Sequence, residues 1–195
     1  MFTRSTRFVI LTGAGISAES GIRTFRAADG LWEKHRIEDV ATPEAWERNP
    51  ELVWSFYQQR RRQLLEVEPN SGHHALVNLE SYLDHFLLVT QNVDDLHERA
   101  GSSNLIHMHG ELAPLRCEAC GHVEVMMDDH HLGENFLTCI QCEGRMRPHI
   151  VWFGEMPMQM PDIEKALAEC DVFVAIGTSG HVYPAANFLH TAKRY

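Results

Sequence analysis

The segment at residues 7–26, RFVILTGAGISAESGIRTFR, constrains the fold more than any other part of the chain. An apolar run ends in a turn through Gly13 and Gly15, and a short helical piece is expected to begin near Ser17. Together these elements form an anion site, because glycine lets the backbone approach a phosphate and the free N–H groups of a helix start supply positive potential. Gly13, Gly15 and Ala18 also fit the dinucleotide pattern GxGxx(G/A). The pattern alone leaves two interpretations open, a nucleotide site and an ordinary strand-to-helix turn.

Dehydrogenases, which commonly carry that pattern, fit the next part of the chain poorly. Their ribose-binding acid ends a second strand about 20 residues further on. Here residues 23–46 are charged, contain Gly30 and Pro43, and include no apolar run. Gly21 also ends the first helical piece after about two turns, which is too short for an ordinary crossover between parallel strands. The segment is therefore compatible with a nucleotide but not with hydride transfer.

Size and charge limit the possible functions. A chain of 195 residues that is 44% hydrophobic can bury the core of one domain, or of one domain with a smaller inserted module. The net charge of -10 argues against nucleic acid as the main partner, since phosphate binding draws on concentrated Lys and Arg. Arg7 and Phe8 lead directly into the first strand without a signal peptide, and no apolar run approaches the ~20 residues of a membrane span. We therefore expect a soluble, cytoplasmic protein without a membrane partner.

Four of the five cysteines form two CxxC pairs, Cys117 with Cys120 and Cys139 with Cys142. In a cytosolic protein, pairs at this separation indicate a tetrahedral Zn²⁺ site. Four thiolates leave no open coordination position, so the metal would be structural rather than catalytic. The alternative is two unrelated redox pairs or buried thiols. Cys170 precedes an apolar run and is expected to be an ordinary core residue.

Apolar runs typical of strands recur at residues 8–11, 86–89, 105–106, 150–153 and 172–176. Most are continuous rather than alternating, as expected for parallel strands that are covered on both faces. The predicted fold class is therefore α/β with a parallel sheet. Residues 27–72, which look helical, and a cysteine-rich segment at about 113–147 interrupt the series of strands.

Polar and glycine residues follow four of these runs. Such residues at the carboxyl ends of parallel strands are where open α/β sheets bind ligands. They are Thr12 to Gly15, Thr90 to Asp94, His107 to Gly110 and Gly177 to Gly180. We expect Gln91, Asn92 and Asp94 to hold ribose hydroxyls and a carboxamide, with a solvated loop as the alternative. The glycine turn at residues 177–179 could hold a second part of a nucleotide.

His109 is the candidate general base, because it follows a short strand at this edge and histidine titrates near neutral pH. The alternatives are an ordinary core or surface imidazole, or a metal pair with His107. We favour the general base over the metal site, because the sequence spacing places no third or fourth metal ligand near this histidine pair.

In the helical segment, Asn49 is a plausible N-cap, and Val53, Tyr57, Arg60 and Leu64 follow on one face. Arg60 would be partly desolvated there and would bind an anion such as a substrate carboxylate, with the Tyr57 hydroxyl assisting. The alternative is a solvated arginine face, which is what we expect for the two arginines that follow Arg60.

At this point the motifs match a family. The chain resembles the sirtuins, which are NAD-dependent protein lysine deacylases, and among them the bacterial members of the branch that includes desuccinylases. The resemblance runs from Phe8 to the C-terminus. It is carried by GAGISAESGIRTFR, TQNVDDLHERAG, IHMHGEL, the two CxxC pairs, HIVWFGE and IGTSGHVYPAA.

The resemblance implies a Rossmann-like NAD-binding domain and a smaller inserted domain. The first would comprise residues 1–27, 73–112 and 148–195; the second would combine a helical part, 28–72, with a zinc-ribbon part, 113–147. The resemblance also implies at least one more strand beyond Tyr195, so C-terminal strands of the sheet are expected to be missing from this chain.

The resemblance also implies roles for single residues. Phe25 would lie near the nicotinamide and Arg26 on the diphosphate side. The full set of expected NAD-binding residues is Gly13, Ala14, Gly15, Ile16, Ser17, Glu19, Thr24, Phe25, Arg26, Trp32, Gln91, Asn92, Val93, Asp94, Gly177, Thr178 and Ser179. His109 would be the general base, and Cys117, Cys120, Cys139 and Cys142 would hold one structural Zn²⁺. Val151, Trp152, Phe153 and Gly154 would pair with the extended substrate peptide, while Ala41, Tyr57 and Arg60 would form a roomy, carboxylate-binding acyl pocket.

In the family's chemistry the acyl oxygen attacks the ribose carbon as nicotinamide leaves. His109 would then deprotonate a ribose hydroxyl, which takes over the acyl group. The expected activity is thus acyl transfer from lysine of a protein or peptide to ADP-ribose, with acetyl-lysine and also succinyl-lysine as substrates. The alternatives are an ADP-ribosyltransferase that uses the same NAD pocket and a truncated, non-catalytic ADP-ribose-binding protein.

Overall fold

A computed structural model describes residues 2–23, 31–32, 35–125, 127, 132–133 and 135–193. The strands are β1 (Arg7–Thr12), β2 (Leu31–Trp32), β3 (His35–Arg36), β4 (His85–Thr90), β5 (Leu105–His107), β6 (Gly110–Cys117), β7 (Val123–Val125), β8 (Met146–Ile150) and β9 (Val172–Ile176). The α-helices are α1 (Ile37–Val40), α2 (Pro43–Arg48), α3 (Pro50–Leu64), α4 (Ser71–Tyr82), α5 (Leu96–Ala100), α6 (Met160–Glu169) and α7 (Phe188–Ala192). Short 3₁₀ turns lie at Ala18–Ser20 and Ala185–Asn187. In these ranges, none of the helices has the length and apolarity to cross a membrane.

Four strands form a parallel sheet in the order β5-β4-β1-β9. Four of the five predicted apolar runs lie in these strands, which confirms the α/β class with a parallel, Rossmann-like sheet. Strands β4 and β5 lie on one side of β1, and β9 lies on its other side. Ligands bind where the strand order reverses in this way, so the fold opens a crevice at the carboxyl ends of β1 and β9.

Both faces of the parallel sheet are covered, because successive side chains of a strand point to opposite faces. Phe8 and Ile10 pack on one face with Leu76 of α4. Val9 and Leu11 pack on the other with residues of α6 and α7. This two-sided burial explains why β1 is a continuous apolar run.

A separate core joins the helical segment to the cysteine-rich segment. Trp46, Trp54 and Tyr57 of α2 and α3 pack against Leu115 of β6 and Met146 of β8. Strands β7, β6 and β8 form an antiparallel sheet in that order. The two inserted segments therefore share one core, as the predicted smaller domain requires.

The start of α3 follows the prediction. The Asn49 side chain accepts a hydrogen bond from the backbone N–H of Leu52 at 3.1 Å, and Pro50 occupies the first helical position. Both features favour helix initiation, because the cap satisfies a free N–H group and proline has none to satisfy.

The run at residues 150–153 is not a strand of the parallel sheet, so that expectation is wrong. Strand β8 ends at Ile150 and pairs antiparallel with β6. Ile150 and Trp152 are buried in the core shared by the two inserted segments. The run is apolar because it belongs to this core, and a short apolar run does not reveal which sheet it joins.

The expectation that Arg61 lies on a solvated face is also wrong, whereas Arg62 is exposed. The Arg61 guanidinium donates to Oε1 of Gln58 at 2.7 Å and to the carbonyl of Ala113 at 3.1 Å. Burial lowers the pKa of Arg61 to about 10. Arg61 lies four residues after Tyr57 and so shares its buried face, and the carbonyl comes from β6, which the helix sequence cannot predict.

Candidate active site

A cavity of about 550 Å³ lies at the carboxyl edge of the parallel sheet and continues along the segment after β8. Most of the predicted site residues line it. They are Gly13, Ala14, Gly15, Trp32, Ala41, Tyr57, Gln91, Asn92, Val93, Asp94, His109, Val151, Trp152, Phe153, Gly154, Gly177, Thr178 and Ser179. The predicted nucleotide residues, the predicted base and the predicted substrate residues therefore meet in one space.

Four described residues that are predicted to bind nucleotide or substrate, Ile16, Ser17, Glu19 and Arg60, do not line the cavity. Ile16 packs on one face of the sheet, Ser17 is buried beneath the cavity, and Glu19 is exposed in the 3₁₀ turn. The guanidinium carbon of Arg60 lies 4.9 Å from the centroid of the Phe56 ring. Thr24, Phe25 and Arg26 lie outside the described residues.

The two glycine turns cross at very short range. The backbone N–H of Gly15 donates to the carbonyl of Gly177 at 2.8 Å, and Gly13 donates to the carbonyl of Ile176 at 3.1 Å. A Cβ on Gly15 would lie 2.7 Å from the Gly177 Cα, and a Cβ on Gly177 would lie 2.4 Å from the Ile16 nitrogen. Side chains are thus excluded by neighbouring backbone, so glycine is required at both positions for the turns to cross this closely.

We expect Gly177→Ala to destabilise this edge of the sheet far more than Gly180→Ala. Both glycines have left-handed φ values, +63° and +69°, but a Cβ on Gly180 meets nothing within 4 Å. The shared dihedral strain costs about 1–2 kcal/mol, and the backbone collision at Gly177 adds about 1–3 kcal/mol. Chemical denaturation of the two variants measures the difference. Equal losses of unfolding free energy would contradict the close crossing.

His109 has the geometry of a general base. Its Nδ1 lies 3.2 Å from the carbonyl oxygen of Gln91. Because a carbonyl only accepts, Nδ1 carries the proton and Nε2 keeps its lone pair. Burial lowers the pKa of His109, although the hydrogen bond to Gln91 opposes that shift. The imidazole is therefore neutral at pH 7 and able to accept a proton.

Asn92 and Asp94 are held from below by Ser17. The amide of Asn92 donates to the Ser17 hydroxyl at 3.0 Å, and that hydroxyl donates to Oδ2 of Asp94 at 3.0 Å. Burial raises the pKa of Asp94, while hydrogen bonds from the Leu96 N–H and from Ser17 act in the opposite direction. Ser17, which does not reach the cavity, thus orients two residues that do.

A buried histidine ties the tips of β1 and β4 together. The Thr12 hydroxyl donates to Oγ1 of Thr90 at 2.8 Å, and Nε2 of His97 lies 3.0 Å from the Thr12 hydroxyl oxygen. His97 is fully buried, and its ring packs 4.9 Å from that of His73. Burial, together with the neighbouring His73, lowers the pKa of His97 to about 4.

This burial predicts an acid-sensitive fold. In the unfolded chain His97 titrates near 6.5, so the unfolded state binds the proton first and stability is lost as the pH falls below that value. Between pH 7 and pH 5 we expect His97 alone to cost about 2 kcal/mol of unfolding free energy. Urea unfolding at both pH values measures the loss. His97→Gln should show a loss smaller by that amount, and an unchanged pH dependence would contradict the assignment.

The wall opposite the sheet is built around Trp152. Its indole N–H donates to the Tyr57 hydroxyl oxygen at 3.0 Å. The Phe153 N–H donates to the carbonyl of Ala41 at 3.0 Å, and the Val151 N–H donates to the carbonyl of His109 at 2.9 Å. The segment after β8 is therefore fixed both to the helical segment and to the predicted base.

Several cavity residues are not predicted as site residues. They are Ile22, Arg23, Ile150, Glu155, Pro157, Val182 and Tyr183. Six of them, all but Pro157, lie inside the motifs GAGISAESGIRTFR, HIVWFGE and IGTSGHVYPAA. The motifs could have identified these residues, because residues next to a site residue within a motif lie in the same loop.

The four predicted zinc ligands converge. Cys117 and Cys142 have sulfurs 3.4 Å apart, Cys120 and Cys139 have sulfurs 3.7 Å apart, and all four sulfurs lie within 4.8 Å of one another. Zn–S bonds of about 2.3 Å place tetrahedral sulfurs about 3.8 Å apart, so this set fits Zn²⁺. A Cβ on Gly144 would lie 3.0 Å from the Cys117 sulfur, so only glycine fits beside the cluster.

His107 does not pair with His109 but contacts two other residues. Its Nδ1 lies 3.0 Å from the carbonyl oxygen of Asn92, and its Nε2 lies 2.5 Å from Oε1 of Glu98. Burial alone would lower the pKa of His107, but the Glu98 carboxylate raises it. His107 is therefore an ion-pair partner of α5.

Comparisons with known proteins agree with this geometry. Residues 13–184 match the model of the Sir2 family. A protein from Shigella flexneri named NAD-dependent protein deacylase is 62% identical over 190 residues, which cover 96% of this chain and 69% of that protein. A solved complex of a Sir2 homologue with NAD has a TM-score of 0.87 at 42% identity, covering 97% of this chain and 75% of that one. A Sir2 complex with a p53 peptide and NAD⁺ has a TM-score of 0.81 at 29% identity, covering 97% of this chain and 78% of that one. The chain belongs to the Sir2 family.

Proposed function

We propose that this chain is an NAD-dependent protein lysine deacylase that removes acetyl groups and also succinyl groups. The observation that carries the proposal is the single cavity in which a neutral histidine, two crossed glycine turns and an aromatic wall meet. The close relatives named NAD-dependent protein deacylase support the same activity.

The nucleotide would be held by the sheet edge. In this proposal the turns at Gly13–Gly15 and Gly177–Ser179 bring the backbone close to the phosphates, through N–H groups other than those of Gly13 and Gly15, which already donate to carbonyl groups within the sheet edge. Gln91 links the second turn to the end of β1, because its amide donates to the Thr178 hydroxyl at 2.9 Å and its backbone N–H donates to the Thr12 carbonyl at 3.0 Å. It would contact ribose together with Asn92 and Asp94. NAD, when bound, supplies a ribose carbon that becomes electrophilic as nicotinamide leaves.

His109 would accept a proton from a ribose hydroxyl at Nε2. The Gln91 carbonyl keeps Nδ1 protonated and so maintains the tautomer that this step needs. Asn92 and Asp94 would be held by Ser17 in the orientation that receives the nicotinamide side of the cavity.

The acylated peptide would lie along the segment after β8. Phe153 and Gly154 are exposed there, and an extended peptide can align with an exposed segment of this kind through main-chain hydrogen bonds. The acyl-lysine would pass between Trp152 and Phe153 towards Ala41 and Tyr57, which line the same cavity.

We expect Arg60→Met to impair removal of succinyl groups far more than removal of acetyl groups. Arg60 does not line the cavity itself, but it follows Tyr57, which does, by three residues on the same helix, and its long side chain would turn from Phe56 to form a charge-assisted hydrogen bond with a succinyl carboxylate. Such bonds contribute about 1.5–3 kcal/mol, which corresponds to a loss of about 10- to 100-fold in kcat/KM for the succinyl peptide. Arg62→Met, at an exposed arginine of α3, is the matched control. Equal losses for both peptides would return Arg60 to a purely structural role.

The activity is tested by incubating the chain with NAD and with acetyl- or succinyl-lysine peptides. Nicotinamide release together with free lysine on the peptide supports the deacylase. ADP-ribose attached to protein would indicate an ADP-ribosyltransferase instead. NAD or ADP-ribose binding without turnover would indicate a non-catalytic binding protein.

We also propose a Rossmann-like NAD-binding domain of residues 1–27, 73–112 and 148–195, with a small domain formed by 28–72 and 113–147. Strands β6 and β8 cross two of these boundaries, at residues 112/113 and 147/148, and so connect the two parts. The cytoplasmic location and the lack of nucleic-acid and membrane partners remain predictions.

A further inference from the structure

The Tyr57 hydroxyl oxygen accepts a hydrogen bond from the indole N–H of Trp152, and the described residues make no other hydrogen bond to this hydroxyl. Both side chains are almost completely buried, and both line the cavity. An indole N–H can donate but not accept, so the Tyr57 oxygen is the acceptor in this contact. The hydroxyl hydrogen is therefore directed away from Trp152.

Arg147 holds the Trp152 ring, and Glu155 holds its backbone. The guanidinium carbon of Arg147 lies 3.5 Å from the centroid of its ring. Arg147 forms a bidentate pair with Glu155 at 2.8 and 2.9 Å, and Glu155 also accepts the Trp152 backbone N–H at 2.8 Å. A planar arginine stacked on an indole and paired through two parallel bonds has little freedom, so the indole N–H keeps one direction.

The Tyr57 hydroxyl is also unable to release its proton at neutral pH. Burial raises the pKa of Tyr57 far above its ordinary value, although the Trp152 N–H and Arg147 act in the opposite direction. Tyr57 is thus a neutral donor whose oxygen is already engaged. Such a group recognises an acceptor, and an acyl chain that ends in a carboxylate supplies one that an acetyl group lacks.

We propose that Trp152 is a positioning residue for acyl selectivity, because it fixes the Tyr57 hydroxyl as a donor towards the terminal carboxylate of a succinyl-lysine. The inference rests on the proposed deacylase function and deepens it. Arg147 and Glu155 contribute to this positioning, since they hold the indole that orients the Tyr57 hydroxyl.

The test is a double-mutant cycle of Trp152→Phe and Tyr57→Phe, in which kcat and KM are measured for succinyl- and acetyl-lysine peptides. Trp152→Phe removes the N–H, and Tyr57→Phe removes the hydroxyl. We expect each to lower the succinyl/acetyl ratio of kcat/KM by about tenfold, mainly through KM for the succinyl peptide. The double variant should lower the ratio no further, because both changes remove the same oriented donor.

Trp46→Phe is the matched control. Trp46 is buried in the same core, with its ring 5.8 Å from that of Trp152, and its indole N–H donates to Glu118 at 2.7 Å. A merely structural role of a buried indole predicts that all tryptophan variants affect the two peptides alike. We expect Trp46→Phe to leave the ratio unchanged.

If Trp152→Phe does not fold, Arg147→Lys carries the test, because it keeps the indole N–H but loses the stacked plane and the bidentate pair. An unchanged ratio in Trp152→Phe or Arg147→Lys, or a double variant whose ratio falls by the product of the two single fold-losses, about 100-fold, overturns the inference. So does a wild-type chain that removes acetyl but not succinyl groups. Failure of the deacylase activity itself looks different, since the wild type then removes neither group.

Discussion

In His109→Ala, turnover of acyl-lysine peptides should fall by about 10²- to 10⁴-fold, the range that a positioned general base contributes. The affinity for NAD should change little, because the glycine turns and the side chains that follow β4 would make most contacts with the nucleotide. Nicotinamide release measures turnover, and calorimetry with NAD measures binding. Turnover near the wild-type rate would remove His109 as the base.

His85→Ala is the matched control. His85 begins β4 at the opposite, amino end of the sheet and is exposed, so its loss should leave turnover unchanged. In the wild type, kcat/KM should fall as the pH drops through the pKa of His109, because only the neutral imidazole accepts a proton. Since burial places that pKa below its ordinary value of 6.5, activity should persist at pH 6.5. A decline that begins well above pH 7 would contradict this assignment.

Cys139→Ala should remove the structural metal and unfold the core shared by the two inserted segments. Cys139 is buried within the cluster of four sulfurs, and three remaining thiolates hold Zn²⁺ less well. Structural zinc contributes on the order of 10 kcal/mol at neutral pH, which exceeds the stability of many whole domains. Metal analysis of the purified chain and its thermal unfolding measure the two losses.

Cys170→Ala controls for the loss of a thiol. Cys170 lies outside the cluster and donates to the Leu167 carbonyl at 3.3 Å. Its replacement should leave one zinc per chain. One zinc per chain in Cys139→Ala, or a wild type that carries none, would contradict the metal site.

Much of the fold could be predicted because strand burial and helix starts are local properties. The runs around Ile10, Leu88 and Val174 predict parallel strands, since each is continuous and each ends in polar or glycine residues. The N-cap at Asn49 follows from the local chemistry of one side chain and one N–H group. The run at residues 150–153 was misassigned because its pattern does not distinguish the partner strand.

Where predicted site residues follow strand ends, as His109 and Asn92 do, the structure places them together in one cavity. The sequence does not reveal the buried contacts of these residues with distant segments. The pairing of Trp152 with Tyr57, 95 residues apart, has no local signal. The same holds for Arg61, whose carbonyl partner lies on another element.

The amino-acid sequence alone determined the family and the parallel sheet, and it predicted the four thiol ligands and the edge at which a nucleotide would bind. These features follow from patterns that a short stretch of chain carries by itself. Only the tertiary structure decided how close the two glycine turns come, which tautomer His109 adopts and which way the Tyr57 hydroxyl points. Each of these depends on a contact between residues far apart in sequence, and hydrogen-bond direction and steric exclusion exist only once both partners are in place.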